Sequence, residues 1–342
     1  MRGARVLLFL LLVATGAAAS ADEGPDITFL AGDAAREAIV DESMEPYFSL
    51  LQPMEMQAKT GSALPGETLE EQRAACRKRY QAAVGAFSEP EQEAIRWYVG
   101  KYHEMLHETY PRFTKTPWRL VKLNPPVEGG LPHTRGTVIV LPPGIVRMLV
   151  IAKTRGPVGA LPGIGGVLLH EQLHVVQRLH RERMEHFYRE IWKYVHAERI
   201  ERGAWLVRHQ VINPDGVDAR WVFELEDEGE KRWVLPDVML TEGEGPKQFP
   251  GDLQMVVLEL EKTEQGFVVK TDRKGVPVYE SLRGCEHWQA TFPGTSTSYH
   301  PNETMADLFV KLVVSDHVLM DGPDVRPVLK RYRSDFRRLL GD

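Results

Sequence analysis

Between Gly166 and Gln177 the chain reads GVLLHEQLHVVQ. Val167, Leu168, Leu169, Leu173, Val175 and Val176 surround His170, Glu171 and His174. A stretch apolar nearly all round is the pattern of a buried helix. At roughly 3.6 residues per turn, imidazoles four apart project about 40° from one another and share a face. Burying two unpartnered imidazoles is costly, and a carboxylate is rarely buried without a partner. Two core histidines with local hydrogen bonds would satisfy part of this pattern, but Glu171 would still need an explanation. His-Glu-x-x-His on one helix is also the spacing with which two imidazoles share a zinc ion. The fold must therefore bring other polar groups onto this helix, including a third ligand.

The same spacing occurs earlier, in KYHEMLHETY, Lys101–Tyr110. There the apolar stripe is Ile95, Tyr98, Val99, Tyr102, Met105 and Leu106, while His103 and His107 line up with Arg96 and Gly100. That row is polar and flanked by Lys101 and Glu108. A water-facing row offers neither the packing nor the outer hydrogen bonds that hold metal ligands in place, so this occurrence reads as a coincidence.

Two places could supply the third ligand. His180 lies ten residues after His170, the metzincin spacing, but the glycine which turns that chain is Gln177 here. In a continuous helix His180 would point about 240° away from His174. In YHPNETMADLF, residues 299–309, Glu303 and Asp307 are four apart and share a helical face. Together, HEQLH and the downstream NETMAD resemble the gluzincin metallopeptidases, the thermolysin-like group, over about a dozen residues. The resemblance implies one Zn2+ held by His170, His174 and Glu303, with Glu171 as general base and Asp307 accepting a hydrogen bond from His170. It also implies hydrolysis of a peptide or protein substrate. His174 and Glu303 are 129 positions apart, longer than in compact members of that group. The intervening strands would be an insertion, which the slow growth of loop-closure cost permits, and another acid such as Glu198 could also serve. Glu171, about 100° round the helix from His170, could reach a water without binding the metal. Tyr299 and His300, one turn before Glu303, are the candidate donors to a developing oxyanion.

The layout follows from turn and cap signals. Residues 1–21 carry two arginines, an apolar run from Val6 to Val13 and Ala19-Ser20-Ala21, which reads as a signal peptide. Residues 22–115 form an N-terminal helical region, with a capping box from Thr68 to Glu71 and a second helix opening at Ser88 with Pro90 in its first turn. Residues 116–212 form the part that carries the metal helix, with short strands in WRLVKLNPP and GTVIVLPPG. The latter is either the edge strand along which an extended substrate lies or a plain core strand. The helix from Gly166 runs, with breaks, to about Val207, and NPDG at 213–216 stops it. Residues 213–290 are a β-rich insertion of hairpins, and 291–342 a C-terminal helical part ending in a basic amphipathic helix, VLKRYRSDFRRLL, with a solvated face. The fold class expected is α+β, a zincin-like helical core with a small sheet and an inserted antiparallel hairpin region.

The net charge of −6 argues against a nucleic-acid binder. The N-terminal apolar run is short for a membrane span, so the expected location is secreted or periplasmic, with no stable span after cleavage. Cys76 and Cys285 either form one long-range disulfide or stay as two thiols. Two function classes follow. One is an exported zinc metallopeptidase; the other is a non-catalytic exported binding protein with a structural metal or none.

Overall fold

The computed structural model describes residues 24–227, 229–243, 245–293, 295, 299–317 and 326–341. The expected signal peptide lies outside them. The chain is mixed helix and sheet, 47% helical and 20% strand, consistent with α+β.

The N-terminal part holds α1 (Gly32–Val40), α2 (Pro53–Thr60), α3 (Leu69–Ala82), α4 (Glu89–Leu106) and the short α5 (Pro111–Thr114). The cap signals act as read. Thr68 N–H donates to Glu71 Oε2 at 3.0 Å and Glu71 N–H to Thr68 Oγ1 at 3.3 Å, and Ser88 N–H donates to Glu91 Oε2 at 2.8 Å. These bonds satisfy the N–H groups that a helix start leaves unpaired.

A first sheet contains β1 (Ile27–Phe29), β2 (Val84–Gly85), β3 (Trp118–Leu123), β4 (His133–Arg135) and β5 (Val138–Leu141). Its order is β1-β3-β5-β4, with β2 antiparallel on β3. The pairs β1–β3 and β3–β5 are parallel and β4–β5 is antiparallel. Every residue of β5 is buried. GTVIVLP is therefore a core strand, and β4 takes the outer place.

Next come α6 (Pro143–Lys153), α7 (Gly156–Ala160), a π turn (Leu161–Gly165) and α8 (Gly166–Leu179), then α9 (Arg181–Glu190) and α10 (Ala204–His209). The long broken helix expected from 166 to 207 is thus three helices. The first break is at His180, with φ −122° and ψ 37°. A second sheet contains β6 (Val195–His196), β7 (Ile200–Glu201), β8 (Trp221–Asp227), β9 (Glu230–Leu240), β10 (Leu253–Thr263), β11 (Gly266–Val269) and β12 (Tyr279–Ser281). Its order is β6-β8-β9-β10-β11-β7, with β12 on β10. Two of its strands, β6 and β7, come from upstream of residue 213. The chain closes with α11 (Glu286–Thr291), α12 (Pro301–His317) and α13 (Arg326–Leu340).

The main core joins α4, α8, α12 and α13 to the first sheet and to the inner face of β8, through Leu169, Leu173, Phe309, Leu120, Phe223 and Leu340. A second cluster fills the other side of the first sheet with residues of α1 and α3. Cys76 belongs to that second cluster and Cys285 to the main one; both are buried free thiols. Among the described residues, no helix is long and apolar enough to cross a membrane.

Candidate metal centre

Helices α8 and α12 pack against each other, and two glycines let the start of α8 sit close to its neighbours. A Cβ on Gly166 would fall 2.9 Å from Val310 Cγ1 of α12, and one on Gly165 2.6 Å from Tyr102 Oη of α4. Gly165 and Gly166 thus serve the close packing of the helix that starts here. His170, Glu171, Tyr299, Glu303 and Asp307 line one cavity of about 400 Å³. His174, fully buried beneath it, completes a group of three potential ligands with His170 and Glu303, whose ligand atoms lie within 4.8 Å of one another.

His174 is the most informative of the three. Gln177 Nε2 donates to Asn302 O at 3.0 Å, which fixes the amide so that Gln177 Oε1 accepts from His174 Nδ1 at 2.7 Å. With its proton on Nδ1, the ring leaves a lone pair on Nε2. That nitrogen is buried and has no hydrogen-bond partner among the described residues. Burial outweighs the opposing charge of Glu303 and lowers the pKa of His174 to about 3, so the ring stays neutral. Its Nε2 faces Glu303 Oε1 at 3.7 Å, and His170 Nε2 lies 3.1 Å from Glu303 Oε2. Tetrahedral bonds of ~2.1 Å place ligand atoms about 3.4 Å apart. Two facing lone pairs at this spacing fit a shared cation.

Glu303 is nearly buried. Burial would raise its pKa, but His174, His170 and the Asn213 amide, which donates at 2.7 Å, bring it down to about 2. Burial would lower the pKa of His170, but the hydrogen bond and charge of Glu303 lift it to about 9. A metal taken up here would therefore displace a proton. Burial, with a contribution from Glu303, raises Glu171 to about 7 against the pull of His170. Thr134 Oγ1 donates to Glu171 Oε2 at 2.9 Å and Thr134 N–H to Asp215 Oδ1 at 2.6 Å. Burial, then the charges of Glu171 and Glu303, push Asp215 well above the usual carboxylate range. Glu171, His174 and Asp215 form a second group of potential ligands that shares the buried imidazole. Arg178, one turn beyond His174, ties β4 to the 213–215 loop through Thr134 O and Pro214 O, and pairs with Glu45.

The other sequence candidates fall as follows. Tyr299 lines the cavity, and burial, then Glu303, Asp215 and Glu171, hold its hydroxyl protonated far above its ordinary pKa. It is a donor at any working pH. His300 is not available to the cavity. Its Nδ1 accepts from Asn302 N–H at 3.1 Å and its Nε2 donates to Asp218 O at 3.2 Å, so it braces the start of α12 instead. Asp307 Oδ2 accepts from Lys311 at 2.7 Å. Glu198 is exposed in the loop between β6 and β7, away from the cavity. His103 and His107 stack with ring centroids 5.7 Å apart, and no third potential ligand joins them among the described residues. Sequence reasoning missed Gln177, Thr134, Asn213, Asp215 and Asn302. Gln177 carried a signal, being a polar residue three positions after His174 on an apolar helix. NPDG was read only as a turn, yet it supplies both Asn213 and Asp215. No protein-family model, curated protein or solved structure matches the chain.

Proposed function

We propose that this chain is a zinc-dependent metallopeptidase of gluzincin type with a zincin-like core, acting outside the cytoplasm on a peptide or protein substrate. The observation that carries the reading is the His174 Nε2 lone pair, buried, neutral and without a hydrogen-bond partner among the described residues, facing Glu303 and His170. Two imidazoles and one carboxylate leave a divalent ion one net positive charge and an open coordination position, which is the donor set of hydrolytic rather than structural zinc. Zn2+ bound by His170, His174 and Glu303 would supply Lewis acidity and bring the pKa of a water toward ~7.

The residues of the chain then have distinct tasks. Glu171 faces the same cavity, where a carboxylate can take a proton from water and return it to a leaving amine. Thr134 Oγ1 holds the Glu171 carboxylate in place. Tyr299 is the donor in this reading for the oxygen that becomes negative when the carbonyl is attacked. Gln177 and Asn213 orient His174 and Glu303. The test is zinc content together with peptide hydrolysis. Wild type should bind one zinc, Glu303→Ala should lose it, and Glu171→Gln should keep it while losing roughly 10²–10⁴-fold in rate. Equal zinc in wild type and Glu303→Ala removes the ligand assignment. Retained zinc with no hydrolysis by any form favours a binding protein with a structural metal.

A further inference from the structure

Val158 at 69%, Ile151 at 54% and Met148 at 45% are three of the four most exposed large apolar side chains among the described residues, the other being Leu179 at the end of α8. All three lie between positions 148 and 158. Met148 and Ile151 are on the outer face of α6, whose inner face buries Val146, Leu149 and Ala152 against the core. Val158 is on α7, which packs on α6. Clustering of this kind marks a contact surface.

The charge around this patch identifies its partner. From position 129 to position 170 the chain has no Asp or Glu, although it carries 48 acids in all. Arg147 and Arg155 are exposed on the patch. Glu93 of α4 pairs with Lys153 of α6 at 2.6 Å. A second copy meeting this face symmetrically would set arginine against arginine with no acid to pair them. An anionic surface that accepts shallow apolar side chains has no such conflict. We propose that α6 and α7 dock on an anionic lipid surface, with Met148, Ile151 and Val158 at the acyl boundary and Arg147 and Arg155 at the headgroups. The π turn that follows α7 contributes Gly163 to the wall of the candidate metal-site cavity, so the docking face adjoins that cavity. The proposal does not depend on the zinc reading.

The experiment is co-sedimentation with phosphatidylcholine vesicles, with and without one-third phosphatidylglycerol, using the chain as isolated from an exporting host. Wild type should bind the anionic vesicles preferentially and lose that preference in high salt. Met148→Ser/Ile151→Ser/Val158→Ser and, separately, Arg147→Glu/Arg155→Glu should each lower the partition roughly tenfold or more. Comparing variants of the same chain cancels any contribution from the Val6–Val13 segment. Equal binding by wild type and variants overturns the proposal, as does a salt-independent lack of lipid preference in wild type. If light scattering shows that the variants turn a dimer into a monomer, the face joins two copies and the lipid assignment is wrong.

Discussion

At the scale of single residues, the centre depends on side chains that hold other side chains. Gln177 is the clearest case, since it both accepts from His174 Nδ1 and donates to the first turn of α12. In Gln177→Leu the Nδ1–H would lose its acceptor and the tautomer would no longer be fixed. Zinc affinity should fall about 10–100-fold, and Gln177→Glu, which keeps an acceptor, should recover most of it. Competition with a chelator dye measures this, and unchanged affinity in Gln177→Leu would exclude the role. Asp218 supports a prediction about pH. Burial would raise its pKa, but His196 at 2.8 Å and Arg220 at 2.7 Å hold it below the ordinary carboxylate value. A depressed folded pKa contributes stability above the unfolded value of ~3.9, and this is lost as pH falls toward the folded one. Urea unfolding should therefore show Asp218→Asn less stable than wild type above about pH 4. Below that the margin should narrow, and a gap that persists unchanged to pH 2 would contradict the assignment.

Among the elements, the cavity's far wall is a contact between two turns. Gly129, at φ +59°, sits so close to the β9–β10 connection that a Cβ would fall 2.2 Å from Phe249 O. That is a backbone obstacle, which a rotamer change cannot relieve. Gly129→Ala should cost about 1–3 kcal/mol and raise KM, because Glu128 and Phe249 both line the cavity. Gly130 has φ +78° but its nearest obstacle is 3.7 Å away, so Gly130→Ala should cost only about 1 kcal/mol and leave KM unchanged. Equal thermal shifts in the two variants would show that the contact does not matter. The contrast also shows what the sequence could reveal. Caps at Thr68 and Ser88, the buried character of α8 and the shared face of Glu303 and Asp307 follow from local chemistry and period, so they are legible. The inner position of β5 and the break at His180 depend on what packs around them. Asn213 and Asp215 sit in a loop whose shape is set by Thr134 and Glu303, far away in the chain. His300 looked like a donor because it precedes Glu303, but its neighbours Gly216 and Asp218 decide otherwise. A Cβ at Gly216 would lie 2.5 Å from His300 Nδ1.

For the whole molecule, the question is whether the second sheet is an appendage or part of one folding unit. Phe223 and Leu225 of β8, Val234 of β9 and Val257 of β10 belong to the same buried cluster as Leu169 of α8 and Phe309 of α12. Polar contacts join the parts as well. Fully buried Lys59 of α2 pairs with Glu55 at 3.0 Å and Glu128 at 3.2 Å and donates to Ile212 O at 2.6 Å, next to Asn213. With core and network continuous from α2 through the sheet to α12, the second sheet and the helices that carry the candidate ligands share one buried core. Ring fluorescence, helical circular dichroism and zinc release should therefore change together in one transition. Bound metal stabilises only the folded form, by about 2.7 kcal/mol at a free concentration 100 times Kd, so a chelator should lower that single Tm. In Glu303→Ala the chelator should have no effect, because the linkage acts through a site that no longer closes. If instead the sheet melted apart from the helices and only the helical transition responded to chelator, the strands between His174 and Glu303 would be an independent domain, and the two ligand helices would be held together without them.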